Sequence, residues 1–231
     1  MAVPPVNNEA FLREVDEEYR RDQMIGLWKR YGVAAAIAVV VLLAAVAGYL
    51  FWRASQHRAA EAAAVKLQDA YDAWGANKLP EANRDFAALA QSKSQGARVS
   101  ALYSQADILL AKGDLKGAAA KFAAVANDGS VAQPFRDLAL VRQTTAEYDT
   151  LKPEVVVQRL KGLAAPGNPW FGSAGEMVAV AYLRQGKRAL AAKLFGEIAK
   201  DGDVPESLKQ RAVQMAGVLG VDAVGGNVKA K

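Results

Sequence analysis

Histidine and cysteine are among the residues on which enzyme chemistry most often rests. The chain of 231 residues holds one histidine, His57, and no cysteine, which excludes zinc sites built on those ligands and nucleophilic dyads that need an imidazole base. Lysine-based and carboxylate-based chemistry survives that count. GSAGE at 172–176 lacks the spacing of a nucleophile elbow. Gly186-Lys187 lacks the upstream glycine and the following hydroxyl residue of a phosphate loop. Glu17 and Glu18 are neighbours on a predicted helix, point in different directions and make poor acid–base partners. His57 lies five residues beyond a long apolar run, where an interfacial surface residue needs no catalytic role. No catalytic, metal or cofactor site is therefore expected, and the chain reads as a binding protein, not an enzyme.

The side chains left to bind something are aromatic and charged groups on the first helix of each of four predicted helical hairpins. They are Tyr71 and Trp74, Tyr103 and Asp107, Arg142 and Tyr148, and Glu176 and Arg184. Together they predict a mixed aromatic and charged groove for protein surfaces or extended chains. Each aromatic also has a second reading, as core between hairpins. Trp170 and Phe171, after Pro169, read as packing residues.

From His57 onward, helical segments are separated by turn-forming clusters near Gly75-Ala76-Asn77, Ser92 to Gly96, Gly113-Asp114, Asp128-Gly129, Thr150 to Pro153, Ala165 to Pro169, Gly186 and Asp201 to Pro205. Seven or eight helices result, and an all-α fold follows. A pattern of small, large and apolar residues then recurs as Ala82, Phe86, Leu89; Ala118, Phe122, Val125; Val156, Leu160, Leu163; and Ala191, Phe195, Ile198. The large residues are 36, 38 and 35 apart. Each follows a turn position, Asn77, Gly113, Leu151 or Gly186, by nine residues. The preceding helices carry Ala70, Ala106, Thr144 and Ala179 at matching offsets. The pattern resembles the tetratricopeptide repeat, a helical hairpin stacked into a solenoid. GDLKGAAAKFAAV (113–125) and GKRALAAKLFGEI (186–198) match best. The third repeat departs at Thr144, Val156 and Leu160, so its helices are expected to splay, and the first lacks its turn glycine. A last helix, Glu206 to Leu219, reads as a cap.

Ahead of the repeats, Gly32 to Trp52 runs 21 residues without a charge. As a helix it reaches about 31 Å, enough to cross a hydrocarbon core of about 30 Å. Tyr31, Tyr49 and Trp52 sit at its ends, with Lys29, Arg30 and Arg53 outside them, as in interfacial belts. About thirty residues precede the run and no clean cleavage site follows it, so it reads as an uncleaved signal anchor. Five Lys and Arg precede it and three follow within fifteen residues, which favours a cytosolic N-terminus and a translocated C-terminal domain. Ala44 and Gly48 form a small-xxx-small pair that would let another helix approach. In the leader, Phe11, Val15 and Tyr19 share one face of a predicted amphipathic helix, which either orients the span or docks a cytosolic partner. The net charge of +5 arises entirely after the span and is spread along the chain, which suits an anionic bilayer surface rather than a nucleic-acid stripe.

The expected organisation is a cytosolic leader over 1–31, a transmembrane helix over 32–52, a tetratricopeptide-like domain over 53–219 with about four repeats and a cap, and a disordered tail over 220–231. This layout, with the leader DEEYRRDQMIGLWKRYG (16–32), resembles the YfgM-like family of ancillary subunits of the bacterial SecYEG translocon. The resemblance implies a single-pass inner-membrane protein with periplasmic repeats, working with the translocon, with a membrane-anchored periplasmic chaperone of the prolyl-isomerase type and with newly translocated client proteins. A coordinator of cell-envelope assembly or division, binding envelope enzymes through the same groove, is the alternative.

Overall fold

The computed structural model describes residues 8–222, with 8–20, 22–24 and 26–28 described by their helical backbone alone. The leader face of Phe11, Val15 and Tyr19 and the tail beyond 222 lie outside the described side chains. Every regular element among the described residues is an α-helix, in the order α1 (Asn8–Gly75), α2 (Leu79–Leu89), α3 (Gln95–Ala111), α4 (Leu115–Ala126), α5 (Gln133–Glu147), α6 (Pro153–Leu160), α7 (Phe171–Arg184), α8 (Arg188–Lys200) and α9 (Glu206–Val218). The chain divides into two units, Met1–Arg58 and Ala59–Lys231.

The apolar run of the first unit lies within α1, which is unbroken over 68 residues. The sequence places no glycine–proline punctuation between the span and the first repeat helix, and the backbone follows with no interruption there. Within Lys29–Gly75 an 18-residue window has a mean hydropathy of 2.7 and no buried part, so this helix is long and apolar enough to cross a membrane. Side chains such as Leu42, Leu43 and Phe51 are exposed, the reverse of a soluble core helix. The rings of Tyr49 and Trp52 stand 6.2 Å apart at the end of the run.

The second unit is built from hairpins. The last part of α1 pairs with α2, α3 with α4, α5 with α6 and α7 with α8, while α9 closes the stack on α8 and α7. The repeated pattern explains the packing. Ala70, Ala106, Thr144 and Ala179 on the first helices, and Ala82, Ala118, Val156 and Ala191 on the second, are each 0% exposed. Small side chains let the two helices of a hairpin cross closely, and Phe86, Phe122, Leu160 and Phe195, also 0% exposed, fill the space beside the crossing. Leu89, Val125, Leu163 and Ile198 complete the buried set. Thr144 keeps its hydroxyl satisfied at the crossing by donating to the Leu140 carbonyl at 2.8 Å.

Three of the four turn positions share one backbone solution. Asn77, Gly113 and Gly186 have φ of 59°, 77° and 73°, the left-handed region where glycine is unstrained and asparagine tolerated. At each, the next amide donates to a carbonyl five residues back: Lys78 to Ala73, Asp114 to Leu109 and Lys187 to Tyr182, all at 2.9 Å. This is a Schellman stop, and the residue that closes it is also the N-cap of the following helix. Gly220 repeats the device after α9 with φ 85°, and Val221 donates to Ala216 at 2.9 Å. Val221 packs on the core beside Gly196. The third repeat differs: Leu151 has no positive φ, α6 is only 8 residues long, and α5 packs on α6 far less extensively than α3 on α4 or α7 on α8.

Candidate protein-binding face

Side chains on the first helices of successive hairpins bond one another directly: Ser104 to Tyr71, Arg142 to Asp107, Thr145 to Met177 and Arg211 to Glu176. We refer to the layer formed by the end of α1 with α3, α5, α7 and α9 as the inner layer, because its side chains bond across successive hairpins. All eight predicted groove residues lie on it, and the structure brings them into a ladder of contacts spaced about one repeat apart.

At the first rung Tyr71 and Trp74 pack on Phe86, with ring centroids 5.2 Å and 5.9 Å away in edge-on geometry. Tyr71 keeps 38% exposure, and its phenolic oxygen accepts from the Ser104 hydroxyl of the next helix at 3.1 Å. At the second, the Tyr103 hydroxyl donates to the Phe135 carbonyl at 2.7 Å. Burial pushes its pKa up to about 12, against an opposing pull from Arg142. Asp107 pairs with Arg142, whose guanidinium lies 4.7 Å from the centroid of the Phe122 ring. At the third, the Tyr148 hydroxyl donates to the Met177 carbonyl at 2.9 Å, and burial raises its pKa although Arg184 opposes the shift. Arg184 sits 5.5 Å from the Tyr148 ring centroid and donates to the carbonyls of Tyr148 and Leu151, both at 3.1 Å. At the last, Arg211 of α9 grips Glu176 with two bonds of 2.9 Å and 2.6 Å. Those bonds raise the Arg211 pKa.

The residues thus link hairpin to hairpin while keeping part of their surface in solvent. Asp107 and Arg142 retain 34% and 36% side-chain exposure, so the inner face offers aromatic edges and charge pairs rather than a bare apolar trough. Trp170 and Phe171 belong to packing: Phe171 is 1% exposed and Trp170 is half-buried against the same cluster. Ser104, Met177 and Arg211 are partners that the sequence reading did not name. The signal for one of them was present, since Glu176 and Arg211 are opposite charges 35 residues apart, one repeat length, just as Asp107 and Arg142 are. A further staple joins the first turn of α3 to the α4–α5 loop, where Arg98 donates to Asp128 at 2.9 Å and to the Ser130 hydroxyl at 3.2 Å. Asp128 accepts from both the amide and the hydroxyl of Ser130, and these bonds hold its carboxyl below the usual range.

Among the described residues no group of three or more histidine, cysteine, aspartate or glutamate side chains could hold a metal ion. Buried hairpins in register, with partly exposed aromatic and charged side chains along one layer, define a helical-repeat scaffold for protein–protein interaction. A family model described as a tetratricopeptide repeat-like domain matches residues 26–216, and the chain belongs to that family. Neither the curated proteins nor the solved structures that were compared gave a match.

Proposed function

We propose that this protein is a membrane-tethered, non-enzymatic scaffold whose inner helical layer holds segments of other proteins. The observation that carries the reading is a single one: the chain holds both an unburied apolar helix and tetratricopeptide-like hairpins whose inner-layer aromatics keep part of their surface free. Tethering raises the local concentration of such a layer at the bilayer without any new contact, so weak contacts with many chains suffice. Tyr71, Trp74, Tyr103, Asp107, Arg142, Tyr148, Glu176 and Arg184 form the binding face in this reading. Bonds to a neighbouring hairpin or to α9 hold all of these but Trp74, which packs on Phe86 of its own hairpin, in place before a partner arrives.

The Lys and Arg bias around the span supports a cytosolic N-terminus with the repeats in the periplasm of the bacterial inner membrane. The resemblance of layout and leader supports the SecYEG translocon, a membrane-anchored prolyl-isomerase-type chaperone and newly translocated proteins as partners. Ala44 and Gly48 are the proposed contact with a partner helix. A Cβ on Gly48 would meet nothing within 4 Å, so its surface is open to such an approach. A periplasm-only reporter fused after Lys231 tests the topology and is expected to be active. In vivo crosslinking followed by purification in mild detergent tests the partners. Recovery of envelope-assembly factors without translocon or chaperone would replace this reading with the coordinator.

A further inference from the structure

The third hairpin is the place where the repeat rule is broken, and the break has an identifiable cause. In the other three hairpins the residue that closes the Schellman stop, Lys78, Asp114 or Lys187, has ψ of 60°, 75° or 59°. Its equivalent, Lys152, has ψ 139° and is followed by Pro153. A proline forces the preceding residue into the extended region, so Lys152 cannot take the shared conformation. Leu151, in turn, stands where a left-handed residue would be needed.

The bonds that would end α5 are consequently rearranged. The Glu147 carbonyl takes the amides of Thr150 and Leu151, both at 3.0 Å, and the Thr150 hydroxyl at 2.9 Å. In a Schellman stop the Leu151 amide would instead reach Tyr148. Arg184, from the next repeat, supplies that donor, with one guanidinium nitrogen on the Tyr148 carbonyl and the other on the Leu151 carbonyl. A guanidinium at a helix C-terminus satisfies orphan carbonyls and complements the dipole. Around this point α6 is two turns long and packs on α5 less extensively than α4 does on α3 or α8 on α7, although Val156 and Leu160 stay fully buried in one cluster with Val141. Polar links add to this joint: the Arg159–Glu147 ion pair and the Tyr148 hydroxyl on the Met177 carbonyl.

We propose that the third repeat is the hinge of the solenoid and that Arg184 is its clasp, holding α2–α5 and α6–α9 in one relative orientation by gripping the end of α5. When the clasp is engaged the inner layer is continuous; when it is released the two halves turn about Thr150 to Lys152. The device is independent of what the inner layer binds.

The chain has no cysteine, so pairs of spin labels can be placed on the full-length protein in detergent or nanodiscs without background. One pair, at Ala124→Cys on α4 and Lys193→Cys on α8, spans the hinge. Two control pairs, Ala87→Cys with Ala124→Cys and Lys193→Cys with Gln214→Cys, stay within one half. All four positions are exposed. Arg184→Ala is expected to widen the distance distribution of the spanning pair about twofold, as for a hinge freed of its restraint, and to leave both control pairs unchanged. Adding Leu151→Gly with Pro153→Leu, which permits the shared stop, is expected to narrow the distribution again. An unchanged spanning pair, equal widening of the controls, or no narrowing in the combined variant would overturn the proposal. Hydrogen exchange on the unaltered protein gives a second reading that needs no variant. Amides of α6 should exchange faster than those of α4 and α8, and equal protection would also overturn it.

Discussion

Gly113 and Gly186 offer a test of the shared turn in which backbone strain stands alone. Both have positive φ, and a Cβ at either would meet nothing within 4 Å, so alanine there meets no clash. The cost is that of holding an L-residue in the left-handed region, about 1–2 kcal/mol. The restricted unfolded chain returns about 0.4–1 kcal/mol, which leaves a net loss of roughly 0–1.6 kcal/mol for Gly113→Ala or Gly186→Ala by these two terms. Gly129 and Gly202 are the internal controls, since their surroundings are equally open and neither has positive φ. There only the unfolded-state effect remains, and alanine should be neutral or stabilise by up to about 1 kcal/mol. The two classes then differ by the strain of about 1–2 kcal/mol, and at about 2–4 °C per kcal/mol for a domain of this size the melting temperatures separate by several degrees. The assay is thermal and urea unfolding of the full-length protein in mild detergent, followed by tryptophan fluorescence, with Trp74 and Trp170 inside the repeats as reporters. If Gly113→Ala and Gly186→Ala proved as stable as Gly129→Ala, the shared left-handed stop would not be what ends these helices.

Removing the large buried residue of a repeat should cost more: Phe122→Ala and Phe195→Ala are each expected to lose about 3–5 kcal/mol in urea unfolding, because both side chains are fully buried. Tyr103→Phe should lose about 1 kcal/mol with its bond to the Phe135 carbonyl. It should also flatten the alkaline limb of stability. The folded pKa is raised, so the tyrosine's contribution is complete below the ordinary value of about 10 and is lost as pH rises toward about 12. The carboxyl of Asp128 is shifted the other way, so its contribution is present above the ordinary range and lost as pH falls through its lowered value; Asp128→Asn should reduce the acid-side loss in a pH-stability titration. A double-mutant cycle on Glu176 and Arg211 should give a coupling of at most about 1 kcal/mol, since the Arg211 side chain is 54% exposed despite good geometry.

The repeat register was legible because burial in a stack of hairpins is periodic. One close crossing and one filled space recur per repeat, so Ala106, Ala118 and Phe122 predict Ala179, Ala191 and Phe195. The turn glycines were legible for a similar reason, since a left-handed backbone restricts residue choice more than any surface contact does. What could not be read locally was partnership. Nothing next to Tyr148 in the chain announces Arg184, and Arg142 meets Asp107 and Phe122 only after hairpins stack. The unbroken α1 escaped too, because a membrane span and a repeat helix differ in composition while sharing the same backbone. The third repeat was legible as deviant from Thr144, Val156 and Leu160, but its turn at Leu151 was not, and the donor on the Tyr148 and Leu151 carbonyls comes from a different hairpin.

The central claim is that the inner helical layer of a membrane-held solenoid binds other polypeptides. The direct measurement places a photocrosslinking residue in the full-length protein in native membranes, at Tyr71 or Glu176 on the inner layer, and at Ala124 or Lys193 on the second helices. The account predicts light-dependent adducts with other proteins from the inner positions and few from the outer ones. Adducts from Ala124 and Lys193 alone would contradict it.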